Sequence, residues 1–267
     1  MKKALFFCMV LPLVFVTTSY SLESRHLLKE NALSFKLGGH YYNNDVDLFD
    51  AWDVDEGDMT DLSVELAYEK NFTKHLSLEV GFGYFDSDTT YDTIIFDNDA
   101  FYGDPDDHFD SDLLESGDFF NIDILNLYIA PTLKCRFNPN DRFILYLGAG
   151  PNIHFTQSNL KVDILGEKYS EEDNFISFGA HGVIGIEMFI MKNPAAFDFY
   201  DVPLSLVLEY KYSWVNEIQN ADKKIINKIN NDMDDLAETF ALDLPVFKKH
   251  DLDVGGHKFF IGLKWHY

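Results

Sequence analysis

Eight stretches of the chain alternate apolar and polar residues with period two, the first and weakest being 33–42. In 61–70, Leu62, Val64, Leu66 and Tyr68 form one face, and Ser63, Glu65, Ala67 and Glu69 form the other. In 75–85, Leu76, Leu78, Val80, Phe82 and Tyr84 oppose Ser77, Glu79, Gly81 and Gly83. The pattern continues through 125–137, 143–155, 175–190 and 204–214, and it ends in 257–267. Period two places successive side chains on opposite faces of a pleated strand. Each stretch has about ten residues or more, enough to cross a bilayer when tilted. The pattern predicts an all-β chain of eight antiparallel strands. A soluble barrel or sandwich shares it, so the connections and the chemistry of each face must decide.

The connections alternate in length. Long segments at 44–60, 86–118, 156–173 and 215–255 are separated by short ones at 71–74 and 138–142 and a middling one at 191–203. In an up-and-down barrel this puts the long loops on one rim and the turns on the other, the asymmetry of outer-membrane barrels. A soluble barrel has no need of it.

The faces agree. The non-apolar face carries Glu65, Glu69, Glu79, Glu187 and Glu209 with Lys36, Lys134, Arg136, Lys211, Lys258 and Lys264. A cation facing lipid at the midplane costs roughly 2–4 kcal/mol, so this face must point inward. Eight strands leave a lumen that side chains just fill. The expected interior is a polar network built on Glu65, Glu79, Lys134, Arg136, His154, His181, Glu187, Glu209, Lys211 and Lys264. A lipocalin-like barrel would reverse the faces.

The two ends carry export and assembly signals. Lys2 and Lys3 precede an apolar run from Ala4 to Val16 and a small-x-small site at Ser19-Tyr20-Ser21. This is the form of a cleaved signal peptide, 1–21, leaving a barrel domain at 22–267. The run is too short for a membrane helix. Cys8 lies inside it, so the mature chain keeps Cys135 alone and has neither an intrachain disulfide nor a cysteine metal site. At the other end Phe259, Ile261, Leu263, Trp265 and Tyr267 fall on one face, the address that barrels present to their assembly machinery. Aromatics near strand ends (Tyr84, Phe155 and Trp214; Phe72, Phe137 and Trp265) suit two interfacial girdles.

Charge adds a division between rim and barrel. The chain has 45 acidic and 21 basic residues and a formal charge of −24. The four long connections alone sum to −26, and the rest of the mature chain balances. Nucleic acid is excluded as a partner, because phosphate binding needs clustered Lys and Arg.

Residues 126–155, NLYIAPTLKCRFNPNDRFILYLGAGPNIHF, resemble the middle hairpin of the OmpW-like small outer-membrane barrels. That hairpin has a Pro-Thr-Leu strand, a short Asn/Pro turn and a Tyr-x-Gly-x-Gly strand. Residues 62–84 and 178–188 resemble the family's second hairpin and sixth strand, features shared with OmpA-like and OmpX-like barrels. The resemblance implies an eight-stranded barrel in the outer membrane with no catalytic motif. In some members it implies a narrow, porin-like channel for small hydrophobic compounds. The very acidic second loop and the long fourth loop depart from the family.

Three features carry candidate chemistry. Asp53, Asp55 and Asp58 in the first long loop, and Asp104, Asp106 and Asp107 in the second, are dense in hard oxygen ligands. They read either as solvated acidic loops or as weak Ca²⁺ or Mg²⁺ sites; the spacing fails the EF-hand, since position twelve is Val64. Ile225, Ile229, Met233, Leu236 and Phe240 have helical spacing, which predicts an amphipathic helix over 221–240. It either folds over the barrel mouth or serves as a partner-binding or gating helix. His154, His181 and Glu187 fall inward without the Ser–His–acid set that a lipid-modifying barrel enzyme would show on its outer wall. The expectation is a monomeric barrel without enzymatic activity and without a required cofactor, surrounded by lipid and lipopolysaccharide. It is either a narrow pore or closed envelope barrel, or a surface protein whose acidic loops bind cations, headgroups or a partner protein.

Overall fold

The computed structural model describes residues 28–43, 46, 48–49, 61–91, 101–102, 119–140, 143–164, 167–191, 203–240 and 246–267. The strands are β1 (Asn31–Tyr42), β2 (Asp61–Asn71), β3 (Leu76–Tyr91), β4 (Phe101–Tyr102), β5 (Phe119–Asn140), β6 (Phe143–Ile164), β7 (Glu167–Met191), β8 (Leu204–Val215), β9 (Val246–Phe247) and β10 (Gly256–His266). A helix, α1 (Lys223–Phe240), lies between β8 and β9. Strands β1, β10, β8, β7, β6, β5, β3 and β2 close a barrel in that order, and β4 pairs with β9 apart from it. Every neighbouring pair is antiparallel, and β10 returns to β1 from Ala32↔His266 to Tyr42↔Gly256. Closure leaves no sheet edge around the membrane-level wall, the condition for strands to sit in lipid.

The two faces divide as the alternation requires. Leu33, Phe35, Leu37, Leu62, Leu66, Leu78 and Phe82 are exposed on the outer wall, and so are Leu145, Leu147, Ile184, Ile186 and Leu208. Phe259, Ile261, Leu263, Trp265 and Tyr267 stand on the same wall. The charged residues between them are buried inside the barrel. Of the girdle aromatics, Phe155 and Trp214 are exposed towards the long-loop rim, with Phe72, Phe137 and Trp265 towards the other.

One expectation is corrected. Residues 156–173 are not a long loop. The β6–β7 ladder runs without a break from Phe143↔Met188 to Ile164↔Glu167, and β3–β5 pairing continues to Tyr91↔Phe120. The reason is a change of solvent along the strands. At membrane level the inward residues are polar and the outward ones apolar. Higher up, Ile122, Ile124, Leu160, Val162 and Tyr169 point inward and are buried, while Asn159 and Lys161 point outward. The alternation persists but its faces exchange polarity, because the outside is now water. The alternation of long and short connections therefore fails between β6 and β7, where the strands themselves rise above the barrel.

The expected helix is present and folds over the mouth. Ile225, Ile226 and Ile229 are fully buried on its inner side, and Lys223, Lys224 and Lys228 are exposed on its outer side. The inner side joins Val46, Leu48, Phe49, Phe85, Ile122, Ile124, Leu160, Phe247 and Leu252 in one apolar cluster. Asp222 anchors the start of α1, accepting hydrogen bonds from the His250 backbone N–H at 2.8 Å and from its ring at 2.7 Å. Lys224 ties the helix to β7 through Asp173, whose carboxylate raises the Lys224 ammonium above its usual range.

Candidate functional site

The functional question is what fills the lumen. In the layer nearest the short turns, Glu69 meets Arg136 and Lys264, while Glu187 meets Lys264 at 3.0 Å, His266 at 2.6 Å and the Ser205 hydroxyl at 2.7 Å. Ser205, His266 and Glu187 thus come together. Yet Ser205 Oγ and Glu187 both engage His266 Nε2, so this imidazole cannot pass a proton from one to the other.

The middle layer is organised around Lys36. Its ammonium lies 2.9 Å from Glu65, 2.9 Å from Glu79 and 2.8 Å from Glu209. These carboxylates come from β2, β3 and β8, so one cation ties three strands together across the lumen. Lys134 adds contacts to Glu79 at 2.7 Å and Glu209 at 3.1 Å, and Lys211 pairs with Glu65. Tyr128 donates to Glu65 at 2.9 Å and Tyr146 to Glu209 at 2.8 Å. Both rings fit because glycine faces them: a Cβ at Gly83 would lie 2.0 Å from Tyr128, and one at Gly185 would lie 2.3 Å from Tyr146. Oxygens of Glu65, Glu79 and Glu209 all lie within 4.8 Å of one another, close enough to ligate a divalent ion. Lys36 stands where that ion would stand.

Above this layer, His154 contacts Asn126 at 2.9 Å, Asn126 donates to Thr156 at 2.6 Å, and Thr132 contacts His181 at 2.7 Å. Neither histidine is joined to Glu187, which belongs to the opposite end. The apolar cluster under α1 closes the top.

All ten residues expected in the lumen are buried there. The structure adds Ser205, His266, Tyr128, Tyr146 and His40, which the phase of the alternation alone would have placed inward. Asp53, Asp55, Asp58, Asp104, Asp106 and Asp107 lie outside the described residues, as does the segment read as a signal peptide. Cys135 is a free thiol at the strand wall, half-buried.

A family model described as "Outer membrane protein beta-barrel domain" matches residues 9–241. No curated protein sequence matches the chain. Among solved structures, Neisserial surface protein A is 10% identical, with 89% of this chain and 96% of that one covered and a TM-score of 0.38. Ail, the attachment invasion locus protein of Yersinia pestis, is 10% identical over 89% and 98%, with a TM-score of 0.36. The N-terminal β-barrel domain of Pseudomonas aeruginosa OprF is 10% identical over 89% and 98%, with a TM-score of 0.28.

Proposed function

Because this chain belongs to the family of outer membrane protein β-barrel domains, we propose that it works as a closed surface barrel whose active part is the long-loop rim. The barrel anchors; the acidic rim binds. The observation that carries this reading is the Lys36 ammonium held by Glu65, Glu79 and Glu209 across the middle of the lumen. A pore for small apolar solutes needs a continuous apolar path. Here such a solute would have to displace several buried ion pairs, each costing several kcal/mol to desolvate unpaired. The apolar cap under α1 adds a second closure. The OmpW-like transport reading is thereby disfavoured. The rim reading assigns the excess negative charge to divalent cations held by Asp53, Asp55, Asp58, Asp104, Asp106 and Asp107, and through them to anionic headgroups or a partner.

Planar-bilayer conductance of the refolded chain tests this. The intact protein should give no steady channel, and neither should a variant lacking 216–254, because the Lys36 layer remains. A steady conductance from the intact protein, or passage of a small apolar dye into vesicles carrying it, would overturn the closed-barrel reading.

A further inference from the structure

Within the lumen six cations, Lys36, Lys134, Arg136, Lys211, Lys258 and Lys264, stand against five carboxylates, Glu65, Glu69, Glu79, Glu187 and Glu209. Five of the cations are in ion pairs. Lys258 is the exception: it is fully buried, and its Nζ has no hydrogen-bond partner among the described residues. It lies over two ring faces, Phe85 at 4.9 Å and Tyr128 at 4.7 Å. Two acids come within its electrostatic reach, but both are engaged elsewhere. Glu65 holds Lys36, Lys211 and Tyr128, and Asp253 holds Asn43 and the Gly255 N–H. A buried ammonium left with ring faces alone is costly, because cation–π attraction falls short of the penalty for leaving water.

The groups around Lys258 share the same deficit. His40 is its direct cross-strand partner on β1, and Lys211 is its partner on β8. His40 is fully buried with both ring nitrogens unpartnered among the described residues, its ring stacked 3.9 Å from Phe85. His154, stacked 5.5 Å from Tyr128, has an unpartnered Nε2. Lys258 and His154 are both near enough to interact electrostatically with His40. Thus potential donors converge on one layer, between the ion-pair network below and the apolar cap above, where none of the described carboxylates is free to receive them.

We propose that this layer is a buried anion site, in which Lys258, His40 and His154 hold one small monovalent anion of the halide class. The anion balances the six-to-five charge excess and receives hydrogen bonds the protein itself leaves unmade. The surrounding rings of Phe85, Tyr42 and Tyr128 favour a compact, weakly hydrated ion over a bulky oxyanion. With the cap above and the ion pairs below, the ion enters as the barrel folds.

The full mature chain is therefore refolded in sodium bromide or, at matched ionic strength, in sodium gluconate. Crystals of the bromide form should show an anomalous peak within hydrogen-bonding distance of Lys258 Nζ. The temperature at which the folded band converts to the unfolded band on a gel should be higher after refolding in bromide than in gluconate. Lys258→Met, which replaces the ammonium with an apolar side chain of similar length, should lose both the peak and the bromide dependence. A bromide-grown crystal with water or nothing beside Lys258 overturns the proposal, whether or not the variant folds. So does a bromide effect of equal size in the variant.

Discussion

At the scale of single residues, the side-chain alternation makes opposite demands on neighbours. Leu78 is on the outer wall, and Glu79 is fully buried against Lys36 and Lys134. Leu78→Arg puts a cation in hydrocarbon and should cost roughly 2–4 kcal/mol near the midplane. Glu79→Gln keeps an acceptor for one lysine, while Lys36 retains Glu65 and Glu209 and Lys134 retains Glu209. Its cost should be smaller, about 1–3 kcal/mol. Refolding yields in lipid vesicles rank the two; the reverse order would mean that the faces are assigned backwards. Lys36→Ala is different in kind. It leaves three carboxylates facing one another around a vacated cation position, and removing one partner from such a buried set costs about 3–5 kcal/mol. Those oxygens are the ligand set that hard cations prefer. The variant should refold poorly in chelator and recover when Mg²⁺ or Ca²⁺ is added. The parent should show no such dependence at this site, and equal recovery by Na⁺ would count against a specific ligand set.

At the scale of elements, α1 and the risen parts of β5, β6 and β7 form an apolar core above the lumen's polar one. Ile226 is fully buried in it. Ile226→Asp would bury an unpaired carboxylate, so the helix should detach and become open to protease while the barrel keeps its heat-modifiable shift on a gel. Loss of that shift as well would show that cap and barrel fold as one unit. This boundary is also where the sequence stopped being readable. The helix was legible because Ile225 and Ile229 repeat at a fixed spacing whatever surrounds them. The membrane strands were legible because lipid demands apolar residues on one face. The rise of β6 and β7 was not, because Leu160 and Val162 sit on the face that Asn152 and His154 occupy lower down. A reader following one face sees its polarity change and ends the strand there. Nor could the sequence say which inward charges meet. Parity puts Glu187 on the same inward face as His154 and His181, yet it pairs with Lys264 and His266, since strand register, not parity, sets height in the lumen.

At the scale of the whole molecule, charge is distributed as the fold is. The wall at membrane level is apolar outside and nearly balanced inside, while segments 44–60, 86–118, 156–173 and 215–255 together carry −26. An acidic rim of that size repels itself and any anionic headgroups beside it, a penalty that divalent cations relieve more effectively than monovalent ones. The sequence of the first long segment lacks the twelve-position ligand spacing of an EF-hand, with Val64 where the bidentate Glu would stand. Affinity should therefore fall in the weak extracellular class, on the order of 10⁻⁴–10⁻³ M. Calorimetry on the folded chain, with Ca²⁺ compared to Na⁺ at matched ionic strength, reads this directly. Replacing Asp53, Asp55 and Asp58 together by Asn should weaken the Ca²⁺ response, and so should the same change at Asp104, Asp106 and Asp107. The ion pairs around Lys36 use neither set, so the lumen network and a heat-dependent shift on a gel should survive both changes. If Ca²⁺ and Na⁺ give equal responses, the rim is a solvated acidic surface that salt merely screens. The rim's partner would then have to be sought among basic surfaces, without a bridging ion.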